Sequence, residues 1–151
     1  MPVSEEAQNL GLLDQALDLN LAAGSKVEVL RRLGALAAGV CTEIDAAEAT
    51  AALLLRERLG STVLKPGLAF PHARLPGLNQ PVLSAVRLVQ GVDFDGEMVS
   101  LAVGILVPDD GTQMHLELLR SLATVLRQPD RVALLCQAES AERFLALMKG
   151  G

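Results

Sequence analysis

A chain of 151 residues, half of them hydrophobic, can bury roughly 68–70% of its unfolded surface, so one self-sufficient domain is expected over residues 1–151. Its 18 acidic against 13 basic residues give a formal charge of −5 with no basic block, a balance that repels a phosphate backbone. Three Phe and no Trp or Tyr leave few platforms on which bases could stack, and nucleic acid is excluded as the expected partner.

Residues 1–9 are polar and acidic, read as a flexible amino terminus, and lack the basic and apolar regions of a secretory signal. No apolar run approaches the ~18 residues of a spanning helix, so no membrane insertion is expected. Leu10 to Ala23 is Leu- and Ala-rich and reads equally as a short helix or a strand. Ser25 followed by Glu28 has capping-box spacing and opens a helix over about Lys26 to Ala38, ended by Gly39, with Leu30, Leu33 and Ala37 on one face. A second box, Asp45 with Glu48, opens a helix that carries Ala47, Ala51, Leu54 and Leu55 inward and ends at Leu59-Gly60. Arg56 and Arg58 lie in its last turn, where a cation complements the helix dipole; position alone makes Arg56 a helix-end residue.

Gly60 and Lys65-Pro66-Gly67 are turn signals, with ordered structure restarting at Leu68. Pro71 stops this short strand, so His72 is expected to project from its end. Pro76-Gly77 is a further turn. Val82 to Val89 alternates as a strand ending at Gly91, and Phe94-Asp95-Gly96 reads as a turn. Leu101 to Val107 is apolar at nearly every position, as in a strand covered on both faces. Pro108 to Gly111 breaks it, and Thr112 caps a helix over Gln113 to about Arg127. Leu116, Leu119, Ala123 and Leu126 form its apolar stripe, and His115 starts on the inward side of its first turn. Pro129-Asp130 begins a short segment through Cys136, and Ser140 caps a last helix ending near Met148. Helices on both sides of apolar strands predict an α/β sandwich. Cys41 and Cys136 form no C-x-x-C pair and read as two buried thiols in a reducing cytoplasm.

His72 and His115 are the only two histidines, and each follows a predicted strand. Ligands of open α/β sheets bind beyond the strands' carboxyl ends, so the two could face one site. The start of the helix bearing His115 supplies unpaired N–H groups suited to a phosphoryl group. One imidazole there can act as nucleophile while the other, with an arginine, holds the transferred group; Arg56, Arg74 and Arg120 are the candidates. One cation ~4 Å from a unit charge contributes about 4 kcal/mol at an effective dielectric of ~20. Taken alone, a histidine after a proline or at a helix start is a solvated or capping residue, and spacing does not establish a site. Rival chemistries fit less well. Glu117, the third ligand of a two-histidine metal site, points away from His115 on a helix, and no H-E-x-x-H or deaminase signature is present. Gly60 to Gly67 has the wrong order for a phosphate-binding Walker loop, and no G-x-S-x-G supports Ser61 or Ser100 as a nucleophile.

Gly67-Leu-Ala-Phe-Pro-His-Ala73 resembles the phosphorylation-site signature of mannitol/fructose-type IIA domains of the phosphoenolpyruvate-dependent phosphotransferase system. Arg56 to Thr62 is similar to the family's preceding helix end, and Ile105 to Pro108 with His115 to Ala123 to its second active-site segment. Gly60-Ser61-Thr62 is most similar to the nitrogen-regulatory branch. The resemblance implies a mixed β-sheet flanked by helices on both faces, with no metal and no organic cofactor. It implies that His72 accepts a phosphoryl group from the histidine phosphocarrier protein, with His115 and Arg56 in the active site; this replaces the helix-end reading of Arg56. The implied acceptor is a IIB component in sugar transport or a regulatory protein target in nitrogen regulation. The chain length, without a fused IIB or membrane domain, favours regulation, and the rival is an interaction module of the same fold with no phosphoryl traffic. Ala73, Phe70 and the short Phe94 to Val99 connection depart from the family pattern.

Overall fold

The computed structural model describes residues 15–110 and 113–150. The expectations for residues 1–14 and for the Thr112 cap lie outside them. The stretch left open between helix and strand contains β1 (Gln15–Leu21). Next come helices α1 (Lys26–Val40) and α2 (Ala46–Arg58). The short strands β2 (Val63–Lys65), β3 (Gly67–Ala69) and β4 (His72–Leu75) lead into the long β5 (Val82–Phe94) and β6 (Glu97–Pro108). Three helices follow, α3 (Gln113–Leu126), α4 (Arg131–Gln137) and α5 (Ala141–Met148).

The sheet is mixed, in the order β1-β5-β6-β3-β2 with β4 also on β6. β1 runs parallel to β5, and β3 and β4 parallel to β6, while β5 with β6 and β2 with β3 are antiparallel. Alternation sorts the two central strands between two cores. Val82, Val86, Ala102 and Leu106 pack with Leu30, Leu33 and Leu53 of α1 and α2. Leu83, Ala85, Val103 and Ile105 pack with Leu118 and Leu122 of α3 and Phe144 of α5. A strand buried on both faces must be apolar throughout, which is why Leu101 to Val107 shows no alternation. Helices therefore cover both faces of a mixed sheet in one domain, as the resemblance implied.

Several boundaries differ from expectation, each for a local reason. Gly39 lies inside α1, not past it; the helix ends at Cys41, whose extended backbone (φ −136°, ψ 112°) still donates its N–H to Ala37. Gly91 does not end β5, because a register shift between Arg87 and Val92 absorbs the irregularity and pairing continues to Phe94. The turn after it is a two-residue hairpin, Asp95 and Gly96 at φ 55° and 101°, the left-handed pair that matches strand twist. Order restarts at Val63, not Leu68, since β2 folds back on β3. The segment after Pro129 is the helix α4, and Cys136 is only half-buried, unlike Cys41.

Two helix faces are also shifted. α2 buries Ala49, Leu53 and Glu57, leaving Ala47, Ala51 and Leu55 exposed; alanines and leucines on every side of this helix hide its inner face from periodicity. Among the described side chains of α3 the buried ones are Leu118, Leu122, Val125 and Leu126, while Leu116 stays 40% exposed.

α1 crosses α2 closely at Gly34, where an added Cβ would stand 2.6 Å from Thr50 Oγ1 and 3.2 Å from the Ala46 carbonyl. Thr50 Oγ1 is itself bonded to that carbonyl, so it cannot swing away without losing a partner. Gly34→Ala is predicted to cost about 1–3 kcal/mol by overpacking, outweighing a helix-propensity gain of up to ~1 kcal/mol. Gly39→Ala, in the same helix with nothing within 4 Å, should show the propensity gain alone. Thermal midpoints moving in the same direction for both would contradict this packing account.

Candidate active site

The site is assembled from the end of α2 outward. Arg56, in the last turn, donates from Nη1 to the Gly60 carbonyl at 3.0 Å. Beside it Glu57 is 5% exposed, and both of its oxygens bind Thr62: Oε1 accepts from the Thr62 N–H at 3.3 Å and Oε2 from its hydroxyl at 2.6 Å. These two side chains fix the loop that enters β2. The Thr62 carbonyl then accepts from Phe70 N–H at 2.8 Å.

His72 does not hang from a strand end. After a register shift between Gly67 and Leu68, β3 and β4 keep one register along β6, Leu68 opposite Leu101, Ala69 opposite Ala102 and His72 opposite Ile105. Phe70-Pro71 is thus an interruption in a single path, bridged where Ile105 N–H donates to the Pro71 carbonyl at 3.0 Å. Proline removes a donor but keeps its acceptor, so pairing with β6 resumes after it. His72 is the first residue of β4 and is half-buried. Its Nδ1 lies 3.0 Å from the Phe70 carbonyl oxygen, and the Phe70 ring stands 5.6 Å away between centroids, tilted by 41°. A carbonyl can only accept, so Nδ1 carries the proton and Nε2 is the basic nitrogen of the neutral ring.

A cleft of about 420 Å³ opens here. α2 and its end contribute Arg56, Leu55 and Leu59; β4 contributes His72, Ala73 and Arg74. The carboxyl end of β6 supplies Val107 and Pro108, and α3 supplies His115, Leu116 and Leu119. Val107 and Ala73 belong to the core, whereas Leu55 is 60% and Leu59 80% exposed at the cleft. The His115 side chain is 13% exposed, and its Nδ1 donates to Asp110 Oδ1 at 3.2 Å, which orients the ring.

Of the residues singled out from sequence, His72, His115, Arg56 and Arg74 line this one cleft, whereas Arg120 is exposed and does not. Glu117 is also exposed, and among the described residues no group of three or more His, Cys, Asp or Glu could hold a metal ion. Glu57, Thr62 and Asp110 were missed. For Glu57 a signal existed: an acidic residue in the last helical turn opposes the dipole, so it calls for a specific partner.

Arg56, Arg74 and two imidazoles around one cleft make a receptor for a compact anion, with an unprotonated ring nitrogen available to attack it. Residues 12–150 match the family described as phosphoenolpyruvate-dependent sugar phosphotransferase system, EIIA 2. The chain belongs to this family. Among the relatives of this IIA domain is a nitrogen regulatory protein from Pseudomonas aeruginosa, 40% identical over 133 residues that cover 86% of each chain. A mannitol-specific phosphotransferase enzyme IIA component from Staphylococcus aureus is 37% identical over 92 residues, 59% of this chain and 62% of the relative. The crystal structure of nitrogen regulatory protein IIA-Ntr from Neisseria meningitidis superposes with a TM-score of 0.81 at 34% identity, covering 88% of this chain and 92% of that one. No helix among the described residues of the IIA domain is long and apolar enough to cross a membrane.

Proposed function

We propose that this IIA domain is a cytoplasmic phosphoryl carrier whose acceptor atom is Nε2 of His72. The observation that carries this reading is the bond from His72 Nδ1 to the Phe70 carbonyl. It commits one nitrogen as a donor, so the other keeps its lone pair. In the step itself, Nε2 attacks the phosphorus of the phosphohistidine on the histidine phosphocarrier protein. The new N–P bond forms as the donor's N–P bond breaks, and the electron pair returns to the donor imidazole. Nδ1 keeps its proton and its carbonyl throughout. Both the attack and the later transfer to an acceptor thus need no rearrangement of the ring.

A phosphoryl group brings on the order of −1.5 to −2 charges, by analogy with phosphoserine. Arg56 is half-buried beside His72 in the cleft and has further guanidinium donors beyond the one spent on Gly60. His115, its Nδ1 held by Asp110, is the second donor proposed to hold the phosphoryl oxygens, which it does from Nε2 in the doubly protonated ring. The exposed Leu55 and Leu59 surround the cleft as an apolar rim on which a small donor protein can dock over a modest transient interface.

The nitrogen-regulatory branch is the better reading of what the phosphoryl state serves, supported by the extent of likeness to the two nitrogen regulatory proteins. The partial match to a mannitol-specific IIA component favours a second reading, transfer to a IIB component for sugar uptake. Intact-mass analysis after incubation with phosphoenolpyruvate, the system's first enzyme and the histidine phosphocarrier protein tests the carrier role. One acid-labile phosphoryl group per chain is expected. No gain in mass, with donors that phosphorylate another acceptor, would sink it. Discharge of the labelled chain by a fructose- or mannitol-type IIB component separates transport from regulation.

A further inference from the structure

Glu57 is a buried carboxylate in the last turn of α2, 5% exposed and facing a residue, Thr62, that is itself only 6% exposed. Desolvation and the helix dipole both act against a charge at that position. What the carboxylate provides is two bonds to one residue, backbone N–H and hydroxyl, which fix Thr62 in position and in rotation.

Thr62 anchors the start of the His72 segment on the side away from β6. Its carbonyl accepts from Phe70 N–H at 2.8 Å, and the Phe70 carbonyl in turn accepts from His72 Nδ1 at 3.0 Å. Pro71 follows Phe70 directly and has a fixed φ. The orientation of the Phe70 carbonyl is therefore held from one side by Thr62 and from the other by Pro71 on Ile105. The bonds involve different peptide units, so the linkage transmits position, not charge. A shift of Thr62 would carry Phe70 with it, and the bond to the Phe70 carbonyl is the one that selects the ring tautomer.

We propose that Glu57 is a positioning residue that, through Thr62 and Phe70, holds His72 in the tautomer with Nδ1 protonated and Nε2 basic. The inference rests on the carrier reading for its consequence, but its structural content is tested without phosphoryl transfer. Outer partners of a metal-bound histidine change its function by roughly 10- to 100-fold when removed, and Glu57→Ala should slow phosphoryl uptake to a similar extent. Glu57→Gln is the rescue: its carbonyl can accept from Thr62 N–H and its amide can donate to the hydroxyl oxygen. Thr62→Val removes the hydroxyl, and Thr62→Ser restores it.

The decisive readout is the imidazole ¹⁵N spectrum of the unphosphorylated full-length chain, recorded where the rings are neutral. Wild type, Glu57→Gln and Thr62→Ser are expected to show His72 with Nδ1 protonated. Glu57→Ala and Thr62→Val should show a mixture of tautomers; if Glu57→Ala does not fold, Thr62→Val carries the test. A protonated Nδ1 retained in the folded Ala or Val variant overturns the proposal, as does a mixture already present in wild type. The two failures stay distinct: a wild type that takes up no phosphoryl group contradicts the carrier reading, while the ¹⁵N spectra still decide the role of Glu57.

Discussion

His72→Ala is expected to take up no phosphoryl group from the histidine phosphocarrier protein, while folding as the parent does. The cleft holds one other imidazole, His115, and its Nδ1 is bonded to Asp110 while the side chain is 13% exposed. It is proposed to bind the group in flight, and it lacks the strand position that presents His72. The structural cost of the change is modest. One hydrogen bond to the Phe70 carbonyl is lost, about 0.5–1.5 kcal/mol, and the backbone pairing of His72 with Ile105 does not depend on the side chain. Phosphate uptake and thermal midpoint, measured on the same preparation, separate loss of the acceptor from loss of the fold. Acid-labile phosphate on the variant would assign the acceptor role elsewhere.

The second large effect is expected at His115. His115→Ala should still become phosphorylated, but about 10²–10³-fold more slowly, the usual consequence of removing one preorganised donor from developing negative charge. The distinction is between rate and extent: His72→Ala ends with no adduct, whereas His115→Ala reaches the adduct late. Rapid-quench time courses with saturating phosphorylated donor measure this. A His115→Ala time course that overlays wild type would remove the residue from the transfer step.

Legibility from sequence followed how local each cause was. The caps at Ser25, Asp45 and Ser140 depend on residues three apart, and all three side chains accept from the N–H three residues on, although the Glu28 carboxylate of the first box reaches back to the Gly24 N–H and not to Ser25. The wholly apolar Leu101 to Val107 declared a strand buried on both faces. Non-local causes were harder to see. Nothing in Gln15–Leu21 shows that it lies parallel to β5, so helix and strand stayed equally possible there. Pro71 suggested a terminus because its missing donor is visible in sequence, while the acceptor that takes up Ile105 N–H depends on a strand more than thirty residues away. The inner face of α2 was obscured by its many alanines and leucines, which hid the buried Glu57.

The cleft shows the same division. His72, His115 and Arg56 were named from the sequence, two through their positions after strands and all three through the family resemblance, and the fold gathers them with Arg74. Arg120 was equally plausible by sequence distance yet lies on the exposed side of α3. Asp110 could be recognised only once the turn after β6 placed it against His115 Nδ1. Side chains that hold functional groups in place carry weaker sequence signals than the groups themselves, because their partners are set by tertiary structure.

The central claim is that Nε2 of His72 carries the phosphoryl group. The chain has two histidines, so ¹⁵N-histidine labelling followed by ³¹P–¹⁵N coupling on the phosphorylated protein locates the group without ambiguity. The account predicts coupling to His72 Nε2, with Nδ1 still protonated. Coupling to His72 Nδ1 or to either nitrogen of His115 would contradict it.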